Sequence, residues 1–240
     1  MHGKLIEQTR MRAGIARRMV ESKQQAPHFY VQTEVGVDAV RDRLAELSSA
    51  PDAPRMTMTV ALVRACALAL VEHPRFNSVW TPEGLLQAAE VNVGVAIAVD
   101  DGLVAPALLG ADALDASATT TALRDLIDRA RTMRLRPAEI SGATFTLSNL
   151  GMFDVTAFTA IVTPPQVAIL ATARPVDRWS FADGVPVRSS VLTATLSADH
   201  RAVDGADAAR FLETFKGAME DPDRLLADEH DDKHEKEAMS

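Results

Sequence analysis

Residues 196–212 read LSADHRAVDGADAARFL. An extended apolar run, 185–197, ends in this polar cluster, and a helical stripe begins after it: Phe211, Leu212, Phe215 and Met219 share one face of a helix expected over 206–219. His200 follows the strand end and Asp204 stands four residues later, while Gly205 is read as the residue that permits the turn into the helix. From spacing alone, a histidine at a strand end near an aspartate is more often a satisfied structural group than a catalytic one. Metal ligation is weaker still, because no second His or Cys lies nearby at ligand spacing.

Outward from this junction the chain alternates helices and strands. Met11, Ile15 and Met19 at four-residue spacing suggest a first helix ending near Lys23, before Pro27. Phe29, Val31, Thr33, Val35 and Val37 alternate as a strand does. Asp38 is read as the cap of a helix that buries Val40, Leu44 and Leu47. The helix 60–72 is apolar on nearly every face, which predicts burial all round. One strand is expected over 91–99, where small residues on one face invite close approach by another layer. A helix is expected over 118–133, and further strands near 143–148, 166–173 and 185–197. Mixed strands and helices without strict alternation suggest an α+β fold, a two-layer sandwich with a mixed β-sheet.

Composition bounds the class. The 240 residues carry 25 Lys plus Arg against 33 Asp plus Glu, with 47% hydrophobic residues and a single cysteine, Cys66. That excludes a disulfide framework and any multi-cysteine metal site. No uninterrupted apolar stretch reaches the length of a membrane span, and the first residues lack the apolar core of a secretion signal, so a cytoplasmic chain with no membrane partner is expected. The net charge of −8 is uneven: residues 220–240 hold nine acids against three bases, leaving only −2 on the rest. Residues 228–240 have the composition of a disordered acidic tail. The basic start, with Lys4, Arg10, Arg12, Arg17, Arg18 and Lys23, contains no basic run longer than the Arg17–Arg18 pair, and aromatics are few, which argues against nucleic acid. Cys66, inside the apolar helix, reads as a small buried hydrophobe, and Trp80 and Trp179 as core or interface anchors.

The 196–212 segment closely resembles the His-x-x-x-Asp-Gly motif of the dihydrolipoamide acyltransferases, the core components of 2-oxoacid dehydrogenase complexes, whose catalytic domain shares its fold with chloramphenicol acetyltransferase. Three stretches agree with it in the family's order: IARRMVESKQQAPHFYVQTEV at 15–35, VNVGVAIAVDDGLVAPAL at 91–108 and FTLSNLGMFDVTAFTAIVTPPQVAIL at 145–170. The third looks more like the acetyltransferases of pyruvate dehydrogenase complexes than like succinyltransferases; branched-chain acyl groups stay open. The resemblance assigns residues 1–227 to one catalytic domain.

The resemblance also assigns roles. It makes His200 the general base that takes a proton from the thiol of coenzyme A or dihydrolipoamide. An imidazole, with an ordinary pKa near 6.5, accepts a proton near neutrality, where a thiol near 8.5 is mostly protonated. It makes Ser148 the hydroxyl donor to the oxyanion of the tetrahedral intermediate. The motif aspartate, Asp204, is expected to be structural, in an ion pair with Arg17 or Arg18 of the first helix. Phe29 and Tyr30, from the aromatic HFY segment, and Asn149, in the serine loop, are candidates to line the substrate channel. Core packing explains Phe29 equally well, and His28 reads as a polar surface residue.

In this family the channel lies between subunits of a trimer, so the resemblance implies a homotrimer in which His200 of one subunit meets Ser148 of its neighbour. The lipoyl group is expected to come from another domain or protein, because neither a lipoyl-lysine motif nor a peripheral-subunit-binding domain is legible. A 2-oxoacid decarboxylase and a dihydrolipoamide dehydrogenase are the implied partners. Leu225 and Leu226 stand where cage-forming relatives place an apolar anchor, yet the charged tail that follows favours a trimer without a cage. Leu108, Leu109 and Gly110 replace a Pro-Val-Val-Arg-type run, and Asp154 replaces a common glycine. A stand-alone acyltransferase of the same fold and a non-catalytic core scaffold remain the alternatives.

Overall fold

The computed structural model describes residues 3–49 and 54–227; the acidic tail, 228–240, lies outside them. The helices are α1 (Arg10–Gln25), α2 (Asp38–Leu47), α3 (Met58–Glu72), α4 (Ala116–Arg131), α5 (Pro137–Ser141), α6 (Gly205–Glu220) and α7 (Pro222–Leu225). The strands are β1 (His28–Gly36), β2 (Ser78–Thr81), β3 (Gly84–Gln87), β4 (Val93–Val95), β5 (Ile97–Val99), β6 (Gly102–Val104), β7 (Ala107–Leu108), β8 (Phe145–Asn149), β9 (Ala168–Thr172), β10 (Val176–Ala182) and β11 (Val185–Asp199).

The expected α+β architecture is present. A mixed seven-stranded sheet runs β1-β11-β9-β8-β4-β7, with β10 paired to β11. Strand β9 is parallel to β8 and β8 to β4, whereas β11 is antiparallel to both β1 and β9. The pairs β2-β3 and β5-β6 form two separate hairpins.

Helix α3 is buried on nearly every face, as its composition predicts: Leu62, Val63, Cys66 and Leu70 are all at most 1% exposed. It packs on α6, whose Phe211 ring lies 4.7 Å from that of Phe76 and 5.5 Å from that of Phe145. Each such fully buried side chain stabilises the fold by about 1.5–3 kcal/mol. Burial pushes the Cys66 thiol up, out of the range of a nucleophile.

Three expectations need correction. Residues 91–99 are two strands, not one: β4 joins the main sheet and β5 leaves it for the β5-β6 hairpin. The small residue at Gly94 does allow close approach, since a Cβ there would lie 3.0 Å from that of Ala143. Asp38 is not the cap of α2. Val37 occupies that position, and the Asp38 carboxylate accepts instead from Ser190 N at 2.6 Å and Arg41 at 2.8 Å. Leu225 and Leu226 are 0% and 1% exposed in their own chain, so they are unavailable as an anchor on a neighbour. Of the two roles expected for Trp179, core or interface anchor, its 67% exposure on β10 leaves the second.

Among the described residues no helix is long and apolar enough to cross a membrane.

Candidate active site

The end of β11 presents His200 to solvent. The strand closes on β1, pairing Asp199 with His28 and Ala198 with Phe29. The chain then turns, and the His200 N–H donates to Pro27 O at 3.0 Å. The Phe29 ring lies 4.7 Å from the imidazole and serves as its backing. Among the described residues the two ring nitrogens of His200 hydrogen-bond to nothing. A free imidazole against an apolar wall is suited to receive a proton from a molecule arriving from outside.

Ser148 sits at the other end of the sheet, on β8, beside Ala171 of β9. Its hydroxyl also has no hydrogen bond among the described residues. The loop after it is built by Asn149, whose Oδ1 accepts from Gly151 N at 2.8 Å and from Thr172 Oγ1 at 3.2 Å, while its Nδ2 donates to Thr59 Oγ1 at 3.3 Å. Asn149 therefore has its amide occupied in shaping the serine loop and is not a free channel group. Gly151 leaves that amide its place, because a Cβ there would lie 2.9 Å from the same Oδ1 and one of the two would have to shift.

The predicted ion pair of Asp204 with Arg17 or Arg18 is absent. Both arginines are exposed on α1 and pair with no acid among the described residues. Asp204 caps α6 instead, accepting from the N–H groups of Ala206 and Asp207, each at 2.9 Å. These unpaired helix-start donors take the carboxylate at no cost in side-chain ordering elsewhere. The Asp207 N–H, followed by that of Ala206, holds its carboxyl below the usual range. Gly205 opens α6 without a left-handed backbone, so the turn does not require a glycine there.

Sequence reasoning missed several members of this region. His28 is not a surface group: its Nδ1 lies 2.8 Å from Ala26 O and its Nε2 accepts from Val162 N at 3.0 Å, which implies the tautomer with the proton on Nδ1. The ring thus fastens the long segment after the serine loop to β1, as does Ser22, whose hydroxyl donates to Val162 O at 2.6 Å. Tyr30, 42% exposed, accepts from Lys23 Nζ and ties β1 to α1. Asp154 pairs with Arg174 at 2.7 Å, so the departure from glycine gains a partner. Asp199 and Arg201 pair with each other, and Arg201 lies over Trp80. Nothing local announces these contacts, whose partners are mostly far apart in the chain.

Among the described residues no group of three His, Cys, Asp or Glu side chains is placed to hold a metal ion.

This fold is shared with chloramphenicol acetyltransferase, which superposes with a TM-score of 0.57 at 15% identity over 88% of this chain and 94% of that one. The chain belongs to the family described as 2-oxoacid dehydrogenases acyltransferase (catalytic domain), which matches residues 2–227. The acetyltransferase component of the pyruvate dehydrogenase complex of Zymomonas mobilis is 39% identical over 92% of this chain and 51% of its own length. That of Rhizobium meliloti is 37% identical over 92% and 51%. The chain thus spans about half the length of the curated relatives it matches. Among solved structures, the dihydrolipoamide acetyltransferase of Azotobacter vinelandii, whose serine, histidine and asparagine have been investigated for roles in catalysis, superposes with a TM-score of 0.89 at 27% identity, over 94% of this chain and 95% of that one. The cubic core of a pyruvate dehydrogenase multienzyme complex superposes equally well, at 28% identity and the same coverage.

Proposed function

We propose that the chain moves an acyl group, acetyl in the first instance, between dihydrolipoamide and coenzyme A. His200 takes the proton from the attacking thiol. The thiolate sulfur bonds to the carbonyl carbon of the other partner's thioester, and the carbonyl electrons move onto oxygen. The Ser148 hydroxyl donates a hydrogen bond to that oxyanion. The intermediate collapses, the other carbon–sulfur bond breaks, and the leaving thiolate recovers the proton from the His200 imidazolium. The two ring nitrogens of His200 and the hydroxyl of Ser148 have no competing hydrogen-bond partner among the described residues, which is the observation that carries this reading.

The residue spacing supports it. In the Azotobacter vinelandii protein the serine and histidine investigated are 52 residues apart and the histidine and asparagine four apart, the separations of Ser148, His200 and Asp204 here. A scaffold without activity needs neither free group.

The site is shared between subunits of a homotrimer, His200 from one and Ser148 from the next. Coenzyme A is a substrate, and the lipoyl group arrives on another domain or protein. The chain works in the cytoplasm with a 2-oxoacid decarboxylase and a dihydrolipoamide dehydrogenase of a pyruvate dehydrogenase complex. Transfer from acetyl-coenzyme A to free dihydrolipoamide, with His200→Ala as control, tests the reading. Thiol-dependent transfer that the substitution removes is expected, and equal rates in the two proteins would overturn it.

A further inference from the structure

Four side chains, Asp199, Arg201, Trp80 and Arg75, hold the turn that carries His200. The Asp199 carboxylate, 1% exposed, accepts from the Arg201 N–H at 3.0 Å, from its Nε at 3.0 Å and from its Nη2 at 2.6 Å. The Arg201 guanidinium lies 4.5 Å over the Trp80 ring. Trp80 is itself fixed, its N–H donating to Pro165 O at 2.8 Å. From the far side of the turn, Arg75 Nη2 donates to Ala202 O at 2.9 Å.

His200 is the residue between the two halves of that ion pair. Within the chain its own supports are few: one main-chain hydrogen bond to Pro27 and the face of Phe29. A general base has to hold its nitrogen within hydrogen-bond reach of the proton it takes, and a misplacement of about 1 Å costs on the order of 100-fold in rate. With no side-chain hydrogen-bond partner for the imidazole among the described residues, the backbone on either side supplies the precision.

We propose that Arg201, chelated by Asp199 and seated on Trp80, is a positioning residue for His200, holding the turn so that the imidazole meets the incoming thiol at a fixed place. The inference rests on the reading of His200 as the base. A lysine in place of Arg201 keeps the charge but loses the planar fork and the flat face for the indole, so it does not reproduce the clamp. Trp80→Leu leaves the buried Asp199 its partner, but it removes core packing along with the platform, so its melting is read beside its rate. Trp80→Phe restores an aromatic face.

The test compares kcat, KM for coenzyme A and for dihydrolipoamide, melting temperature, and the ring NMR signal of His200 identified by its loss in His200→Ala. Trp80→Leu and Arg201→Lys are expected to lower kcat by roughly 10-fold to 100-fold with KM within about twofold. The His200 signal should shift or broaden at temperatures where each variant is fully folded, and Trp80→Phe should recover most of the rate. Wild-type kcat and an unchanged His200 signal in folded Trp80→Leu and Arg201→Lys would overturn the proposal. So would a rate loss that merely follows melting and that Trp80→Phe does not rescue. Should the wild-type protein transfer no acyl group, the functional reading fails by itself, and the His200 signal still decides the positioning role.

Discussion

Ser148 and His200 lie far apart within one chain, because the sheet register separates them. Ser148 pairs with Ala171 on β9, and Ala171 pairs with Thr195 on β11, five residues before His200. Five residues at about 3.3 Å each, and two strand spacings of about 4.8 Å, place the two Cα atoms on the order of 19 Å apart. The oxyanion donor of a thioester attack has to lie within about 3 Å of the carbonyl oxygen while the base reaches the attacking sulfur. That separation supports the proposed sharing of the site, in which a second copy brings the group that one chain holds too far away.

Removing either group separates its role from folding. His200→Ala and Ser148→Ala should both melt like the wild type, since neither side chain hydrogen-bonds to another of the described residues. Ser148→Ala should lower kcat by roughly 100-fold to 1000-fold, the usual cost of losing one oxyanion donor. His200→Ala should abolish detectable thiol-dependent transfer. Steady-state rates beside circular dichroism melts check both.

Asp204 should behave as a cap. Asp204→Asn keeps a capping side chain and is expected to retain turnover, whereas Asp204→Ala should melt at a lower temperature. The folded-state pKa is depressed, so the cap's contribution is complete above the ordinary carboxylate value near 3.9 and is lost as pH falls through the lower folded value. The melting gap between wild type and Asp204→Ala should accordingly close on acidification below about pH 4. Loss of turnover in Asp204→Asn with normal melting would give this residue a catalytic role that a cap does not explain.

Gly151→Ala should damage the serine loop. The added methyl meets Asn149 Oδ1 at 2.9 Å, and relieving that contact breaks the hydrogen bond from the residue 151 N–H. We expect a fall in kcat of roughly 10-fold or more through displacement of Ser148, with little change in KM. Turnover assays of the purified variant decide it, and an unaffected kcat would show that the loop does not hold the hydroxyl.

Much of this architecture was legible because its signals are local. The stripe Phe211, Leu212, Phe215 and Met219 marks α6, and the even apolarity of residues 60–72 marks a buried α3. The break in 91–99 was hidden because Val93, Val95, Ile97 and Val99 keep one alternation across two sheets. The partner of Asp204 was misassigned for a different reason: a carboxylate at a helix start is satisfied by the main chain, and the remote arginine that family likeness suggested is not needed. Trp80 and Arg201 stand 121 positions apart, and only the fold brings them together.

The claim that the site is shared is tested most directly by mixing His200→Ala protein with Ser148→Ala protein under conditions where subunits exchange. Each mixed trimer then contains a junction at which an intact His200 faces an intact Ser148. Recovery of transfer activity well above that of either variant alone is the predicted result. Demonstrated subunit exchange with no recovery would contradict it.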